Sequence, residues 1–130
     1  IYFYTRALEN DDQLPIVFYN LGICYSMKGD NELARDAYRR AIRLQPGMID
    51  AKYNLALLYR EIKDNPSAVR LLEEIVKAKP HYAAAHYALG LIMSEQPQTH
   101  ARAKQHYQEF LRLAPNDRSA PVIRQWVNTH

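Results

Sequence analysis

The sequence predicts an all-α protein built from a repeated unit of two helices. Internal repetition is the first observation: a shift of 34 positions lays six residues of one stretch on identical residues of the next, a period typical of stacked helical units. Punctuation is the second, because Gly29 and Pro46 stand where helices are expected to stop. The matched pairs are Tyr19 and Tyr53, Asn20 and Asn54, Leu21 and Leu55, Tyr25 and Tyr59, Ala34 and Ala68, and Pro46 and Pro80.

A third copy follows the first two. A further shift of 34 aligns Tyr53 with Tyr87, but Pro80 and Pro115 lie 35 apart. The sequence therefore predicts a one-residue insertion in the turn of the third copy, within the segment SEQPQTH. A column of small residues runs through the copies at Gly22, Ala56 and Gly90.

The order of residue types within a copy resembles the tetratricopeptide repeat. That pattern has a large residue, Leu, a small residue and Tyr along a first helix (A), then Ala, an aromatic residue, Ala and Pro along a second (B). The first copy reads Phe18, Leu21, Gly22, Tyr25, Ala34, Tyr38, Ala41 and Pro46. The departures in later copies are Lys52, Leu72, Ile75, His86, Met93 and Phe110. The resemblance implies a right-handed α-solenoid of antiparallel helix pairs.

The repeat boundaries follow from this alignment. Residues 1–14 are expected to be the second helix of a truncated repeat, because residues 1–10 align with residues 35–44. Full repeats are predicted at 15–48, 49–82 and 83–117, with a capping helix at 118–130, all within one domain 1–130. Because Ile1 falls in mid-repeat, we expect the sequence to be part of a longer protein.

Capping residues place the individual helices. Pro15 can open a helix without losing a hydrogen bond, so helix A is predicted at about 15–28. Gly29 suits a left-handed cap, and Asp30 is predicted to cap helix B at about 31–44. The next helices are predicted near 49–62, 66–78, 83–94 and 100–113, with Asn65 and Thr99 as caps. A last helix near 119–128 carries an apolar stripe of Val122, Ile123, Trp126 and Val127.

The composition favours a water-soluble domain: 130 residues, 48% hydrophobic and 24% charged, with a net charge of +3. No apolar run approaches the roughly 18 residues that a membrane helix needs, so no span is expected. The single Cys24 is interpreted as a small buried side chain. One cysteine is compatible with a reducing compartment, which slightly favours the cytoplasm over a periplasmic or organellar location.

The sequence carries no enzyme motif. It has no glycine-rich phosphate loop, no HExxH and no GxSxG. Its five histidines do not form i, i+4 pairs, so they are interpreted as surface or turn residues and no metal or cofactor is expected. They are His81, His86, His100, His106 and His130.

A nucleic-acid partner is considered because Arg35, Arg39 and Arg43 line one helix face in a chain rich in aromatic residues. Acidic residues interrupt this pattern: Asp36 lies among the arginines, and Glu73 occupies the next B helix. A solvated outer face explains the arginines better, so no nucleic-acid partner is expected.

Helix A carries the candidate site. In the family, one face of each helix A lines a concave groove, and here that face holds tyrosines, aliphatic residues and asparagines. A tyrosine offers an apolar face with a hydroxyl, and an asparagine amide both donates to and accepts from a peptide backbone. The expected peptide-binding residues are Tyr19, Asn20, Ile23, Met27, Tyr53, Asn54, Leu57, Arg60, Tyr87 and Leu91. The alternative is that the tyrosines and asparagines only pack and bond within the protein.

One ligand class of the family is not expected. The carboxylate clamp that holds chaperone C-termini needs Lys and Asn where this chain has Tyr19 and Ile23, and Lys and Arg where it has Ala84 and Ala88. Only Asn54 matches.

The sequence thus predicts a scaffold that binds a segment of a protein or peptide partner and performs no catalysis. Two alternatives stay open: a structural or self-assembly module, with self-association through the N-terminal edge at Ile1 and Phe3, or the regulatory arm of a larger enzyme.

Overall fold

The computed structural model describes residues 14–130, which contain seven α-helices, one 3-10 turn and no strand. The predicted helix in residues 1–14 and the predicted edge at Ile1 and Phe3 therefore lie outside the described residues, except for Leu14. The helices are α1 (Leu14–Met27), α2 (Asn31–Leu44), α3 (Ile49–Glu61), α4 (Asn65–Ala78), α5 (Ala83–Met93), α6 (His100–Leu113) and α7 (Ala120–Thr129).

The all-α fold is confirmed, and the predicted helices are present with ends that differ by at most one residue. The inserted residue of the third copy is accommodated in a 3-10 turn, Pro97–Thr99, directly before α6. The chain divides into two compact units, one ending at Asp64 and the other beginning at Asn65. We call them the N-terminal unit and the C-terminal unit.

In the N-terminal unit, α2 packs against both α1 and α3. Its core alternates small and large side chains, so the helices approach closely at alanines while rings fill the spaces between them. Gly22 allows a close approach of α1 to α2, because a Cβ there would stand 2.6 Å from the ring of Tyr38. The buried set is Ala34, Ala37, Tyr38, Ala41, Ala51, Leu55, Ala56, Leu58 and Tyr59.

In the C-terminal unit, α5 packs against α4 and α6, and α7 packs against α6. Gly90 repeats the role of Gly22, since a Cβ at this position would overlap the ring of Tyr107. A cluster of Tyr107, Phe110, Ile123 and Val127 joins α6 to α7. This cluster confirms that α7 buries one side of its apolar stripe.

Two helices end with a residue in the left-handed region. Gly29 after α1 has φ +83°, as predicted, and Lys63 after α3 has φ +67°. The residue after each one donates a backbone hydrogen bond back into the helix: Asp30 N–H to the Tyr25 carbonyl at 2.9 Å, and Asp64 N–H to the Tyr59 carbonyl at 2.8 Å. These bonds satisfy carbonyls that the helix end leaves open.

The predicted side-chain caps were wrong at two helices. Asp30 and Thr99 stand at the N-caps of α2 and α6, but neither side chain bonds to its helix. The Thr99 hydroxyl instead donates to the carbonyls of Met93 and Gln96, because the 3-10 turn brings it back towards the end of α5.

Three side chains depart from their expected burial. Cys24, expected to be buried, is exposed. Val122 is 71% exposed although it belongs to the apolar stripe of α7, since Ile123 and Val127 occupy the side that meets α6. His86, expected at the surface or in a turn, is only 8% exposed.

Candidate functional site

The outward face of α1 is apolar, although the helix also has an apolar face against α2. Ile16 is 52% exposed and Met27 is 83% exposed, while Tyr19 and Ile23 between them are half-buried. A helix that is apolar on a face left open to solvent commonly marks an interaction surface.

Tyr19 and Asn54 connect α1 to α3. The Asn54 amide Nδ2 donates to the Tyr19 hydroxyl at 3.1 Å. The Tyr19 ring also lies 6.1 Å from the ring of Tyr38, centroid to centroid. Both residues of this predicted pair thus have internal contacts, which is part of what the packing alternative expects.

The buried Tyr38 ring packs against Tyr19, which bonds to Asn54. Burial, together with the neighbouring Tyr19 and Cys24, raises the pKa of the Tyr38 hydroxyl to about 12. Tyr38 therefore stays neutral at physiological pH, and Tyr19 packs against an uncharged ring.

The remaining predicted residues of the N-terminal unit lie at the surface or just beneath it. Tyr53 and Leu57 on α3 are half-buried, and Asn20 and Arg60 are exposed. We call the predicted residues of α1 and α3, together with Ile16, the A-helix surface. Its members are Ile16, Tyr19, Asn20, Ile23 and Met27 on α1, and Tyr53, Asn54, Leu57 and Arg60 on α3.

The C-terminal unit holds the last two predicted residues, Tyr87 and Leu91 on α5. Both are half-buried. The Tyr87 ring packs at 5.1 Å from the ring of Phe110, and both residues rest on the cluster that joins α6 to α7. They lie one helical turn apart, which places them on one stripe of α5.

This stripe forms one wall of a cavity of about 360 Å³. The opposite wall comes from α7 and from the turn before it, and Tyr107 of α6 also lines the cavity. We call it the C-terminal cavity; its lining is Tyr87, Leu91, Tyr107, Arg118, Ser119, Val122, Ile123 and Trp126.

Sequence reasoning missed the contribution of α7 to this site. It placed Trp126 and Val122 in a stripe that only covers the end of the stack, whereas Trp126 packs edge-on against Tyr107 at 5.2 Å and Val122 stays open. The available signal was the spacing within the stripe, because Val122 and Trp126 lie one turn apart on one edge and Ile123 and Val127 one turn apart on the other.

A pair of histidines links α5 to α6. His86 Nε2 lies 2.8 Å from the Pro80 carbonyl, and His86 Nδ1 lies 3.1 Å from His106 Nδ1. In the neutral pair Nε2 of His86 therefore donates to Pro80, and Nδ1 of His106 donates to Nδ1 of His86. Burial first, then His86 and Arg102, lower the pKa of His106, while Glu73 acts in the opposite direction.

Among the described residues, no three His, Cys, Asp or Glu side chains are grouped so that they could hold a metal ion. Within residues 14–130, no helix has the length and apolar character required to cross a membrane.

Structural comparison places the chain beside known helical-repeat proteins. MamA from Desulfovibrio magneticus RS-1, residues 41 to the end, is 25% identical and has a TM-score of 0.75, covering 93% of this chain and 71% of that chain. The first TPR of Spaghetti (RPAP3), bound to the HSP90 peptide SRMEEVD, is 23% identical with a TM-score of 0.80, covering 90% and 93%. The TPR2B domain of yeast Sti1, in complex with pHsp70, is 18% identical with a TM-score of 0.77, covering 89% and 94%.

Sequence comparison identifies the family. A search of curated protein sequences finds no match. One tetratricopeptide repeat family model matches residues 15–48, and a second matches residues 53–118, which alone is more than half of the chain. The chain belongs to the tetratricopeptide repeat family.

Proposed function

We propose that the chain binds a mainly apolar peptide segment of a partner protein on its A-helix surface and performs no chemistry of its own. The observation that carries this proposal is the open apolar face of α1, where Met27 is 83% and Ile16 52% exposed. Tetratricopeptide repeat proteins are in general non-catalytic interaction modules, and two structural neighbours are described with bound partners, an HSP90 peptide and pHsp70.

The A-helix surface offers both kinds of contact that an extended peptide needs. Ile16, Ile23 and Met27 provide apolar contact along α1. Asn20 is exposed, so its amide is open to pair with the N–H and C=O of a peptide backbone. The Tyr19 hydroxyl already accepts from Asn54 and keeps its own hydrogen to donate to a ligand carbonyl.

The Asn54 contact reconciles the binding proposal with the packing alternative. A tyrosine held by a neighbouring amide has lost its freedom to rotate before any ligand arrives, so less entropy is lost when a peptide binds. The bond between Asn54 and Tyr19 is therefore consistent with a surface prepared for binding.

The ligand is proposed to differ from chaperone C-termini. Tyr19, Ile23, Ala84 and Ala88 occupy the positions where the carboxylate clamp has charged or amide side chains. An apolar segment suits the tyrosines and aliphatic residues better than a carboxylate terminus does.

A peptide library tests the proposal. A random peptide library displayed on phage is selected against the purified 130-residue chain, and each selected peptide is titrated against Met27→Glu. We expect about a tenfold or larger loss of affinity, because the charge must be desolvated against the apolar ligand.

The matched control is Leu33→Glu, which introduces the same charge at an exposed apolar position of a B helix, 49% accessible. We expect this variant to bind like the parent. Equal losses from Met27→Glu and Leu33→Glu, or a library that yields no binding peptide, would contradict the proposal.

A further inference from the structure

The C-terminal cavity has the shape of a site for a side chain from a partner. One wall carries Tyr87 and Leu91, one turn apart on α5, and the other carries Val122 and Trp126, one turn apart on α7. Its volume of about 360 Å³ lies in the range of about 300–1,000 Å³ that is typical of ligand sites.

Rigid rings line the bottom and one wall of this cavity. Tyr107 packs edge-on against Trp126 at 5.2 Å, and Trp126 stacks on His130 at 4.3 Å. Tyr107 and Ile123 belong to the buried cluster between α6 and α7. A ligand group therefore meets walls that packing already holds in place, which reduces the entropy lost on binding.

Arg118 brings a positive charge to the rim of the cavity. Arg118 lines the cavity, is exposed, and forms no ion pair with any carboxylate of the described residues. Arg102 and Arg112, by contrast, pair with Glu73 and Glu109. No acidic residue lines the cavity, and the nearby Asp117 carboxylate is engaged by the Ser119 backbone N–H at 2.9 Å.

The surrounding segment has the same bias. Residues 100–130 carry five Lys or Arg side chains and two Asp or Glu side chains, of which Glu109 is paired with Arg112. A partner that carries a carboxylate is thus favoured over one that carries a cation.

We propose that the C-terminal cavity binds a peptide segment in which a large apolar side chain stands next to an Asp or Glu. The apolar side chain enters between the α5 and α7 walls and covers Val122. The neighbouring carboxylate meets the Arg118 guanidinium, whose fork of N–H donors fits a carboxylate with two parallel hydrogen bonds. This inference rests on the proposed peptide-binding function and adds the chemistry of a partner segment at a separate surface, within the C-terminal unit.

The lining of the cavity combines residues of the third repeat with residues that follow its last helix. Arg118 and Ser119 belong to the turn before α7, and Val122 and Trp126 belong to α7 itself. The proposed acid-binding group is thus supplied by the turn before α7.

The test uses the peptides selected from the phage library against the 130-residue chain. Affinities are measured by fluorescence anisotropy for the parent, Arg118→Glu, and Arg70→Glu. The last variant makes the same change in charge at an exposed position of α4 and is the matched control. We expect one group of selected peptides to share an apolar residue beside an acid. For this group, Arg118→Glu should weaken binding by about tenfold or more while Arg70→Glu does not.

A second arm changes the peptide. Replacing its Asp or Glu by Asn or Gln is expected to weaken binding to the parent by about tenfold, and to have little effect on Arg118→Glu, because the two groups form one contact. If the peptide substitution weakens binding to the parent and to Arg118→Glu equally, the assignment of Arg118 is overturned.

A third variant separates this inference from the proposed function. Val122→Asp places a charge at the exposed mouth of the cavity, and we expect it to weaken binding as Arg118→Glu does. A selection in which every peptide loses affinity for Met27→Glu but binds Arg118→Glu and Val122→Asp like the parent would overturn the inference and leave the proposed function standing. A library without any binding peptide would overturn both.

Discussion

Two copies of the repeat use different residues at the same left-handed turn. The left-handed turn after an A helix is made by Gly29 in one copy and by Lys63 in the next, at φ +83° and +67°. A glycine adopts this conformation without strain, whereas a side chain there places Cβ too close to a carbonyl oxygen. Lys63 therefore costs stability at a point where the backbone geometry is otherwise the same.

The first residue-scale prediction concerns that cost. Lys63→Gly is expected to raise the free energy of unfolding by about 1 kcal/mol, because it removes the Cβ contact and keeps the bond from Asp64 N to Tyr59 O. Urea unfolding measures the change. Lys63→Ala is the control, since it removes the lysine but keeps the Cβ; a gain as large in this variant would show that the lysine itself is responsible.

The second residue-scale prediction concerns Gly90. A Cβ at this position overlaps the Tyr107 ring, so Gly90→Ala is expected to destabilise the protein by about 1–3 kcal/mol. Gly47→Ala is the matched control, because a Cβ at Gly47 meets nothing within 4 Å.

A double variant identifies the contact responsible. We expect Gly90→Ala to cost less unfolding free energy in a Tyr107→Leu background than in the parent, since the smaller side chain leaves room for the added methyl group. Strictly additive losses in urea unfolding would show that the alanine acts on something other than the ring.

At the scale of helices, the His86 and His106 pair is a pH-sensitive link between α5 and α6. Burial first, then His86 and Arg102, hold the pKa of His106 below its ordinary value of 6.5. As the pH falls, His106 therefore binds a proton more readily in the unfolded chain than in the folded chain. Its contribution to stability is present above about pH 6.5 and is lost as the pH drops below that value.

Unfolding at pH 7.5 and at pH 5.5 tests this link. We expect the parent to lose more stability over this interval than His106→Gln, which cannot be protonated. Parallel losses in the two proteins would contradict the role assigned to His106.

The helices themselves were predictable because their signals are local. The 34-residue period, the small column at Gly22 and Gly90, and the glycine after α1 each reflect a constraint on the backbone that neighbouring residues impose. Helix ends were therefore placed within one residue of those observed.

The contacts that the sequence did not predict depend on where a helix face points. The Thr99 hydroxyl bonds back to Met93 and Gln96 because the inserted turn reverses its direction. His86 is buried because Pro80 and His106 happen to supply both partners that its ring requires. Val122 is open because α6 covers only the Ile123 and Val127 side of α7. Each of these depends on tertiary packing, which no periodicity in the sequence encodes.

At the scale of the whole molecule, the chain presents two candidate surfaces, each within one compact unit. The N-terminal unit carries the A-helix surface, with its open apolar positions on α1, and the C-terminal unit carries the C-terminal cavity. Both combine apolar side chains with a few polar groups that orient a ligand. Such a combination is typical of sites that recognise a segment of another protein.

Peptide binding by the exposed and half-buried side chains of the A helices is tested at Tyr53. The measurement is the affinity of Tyr53→Ala for a peptide selected against the parent chain, obtained by titration calorimetry. Tyr53 is half-buried on α3 and belongs to the A-helix surface, so loss of its ring is expected to weaken binding by about 1–3 kcal/mol, with helix content by circular dichroism unchanged. A folded Tyr53→Ala that binds the peptide as tightly as the parent would contradict the claim.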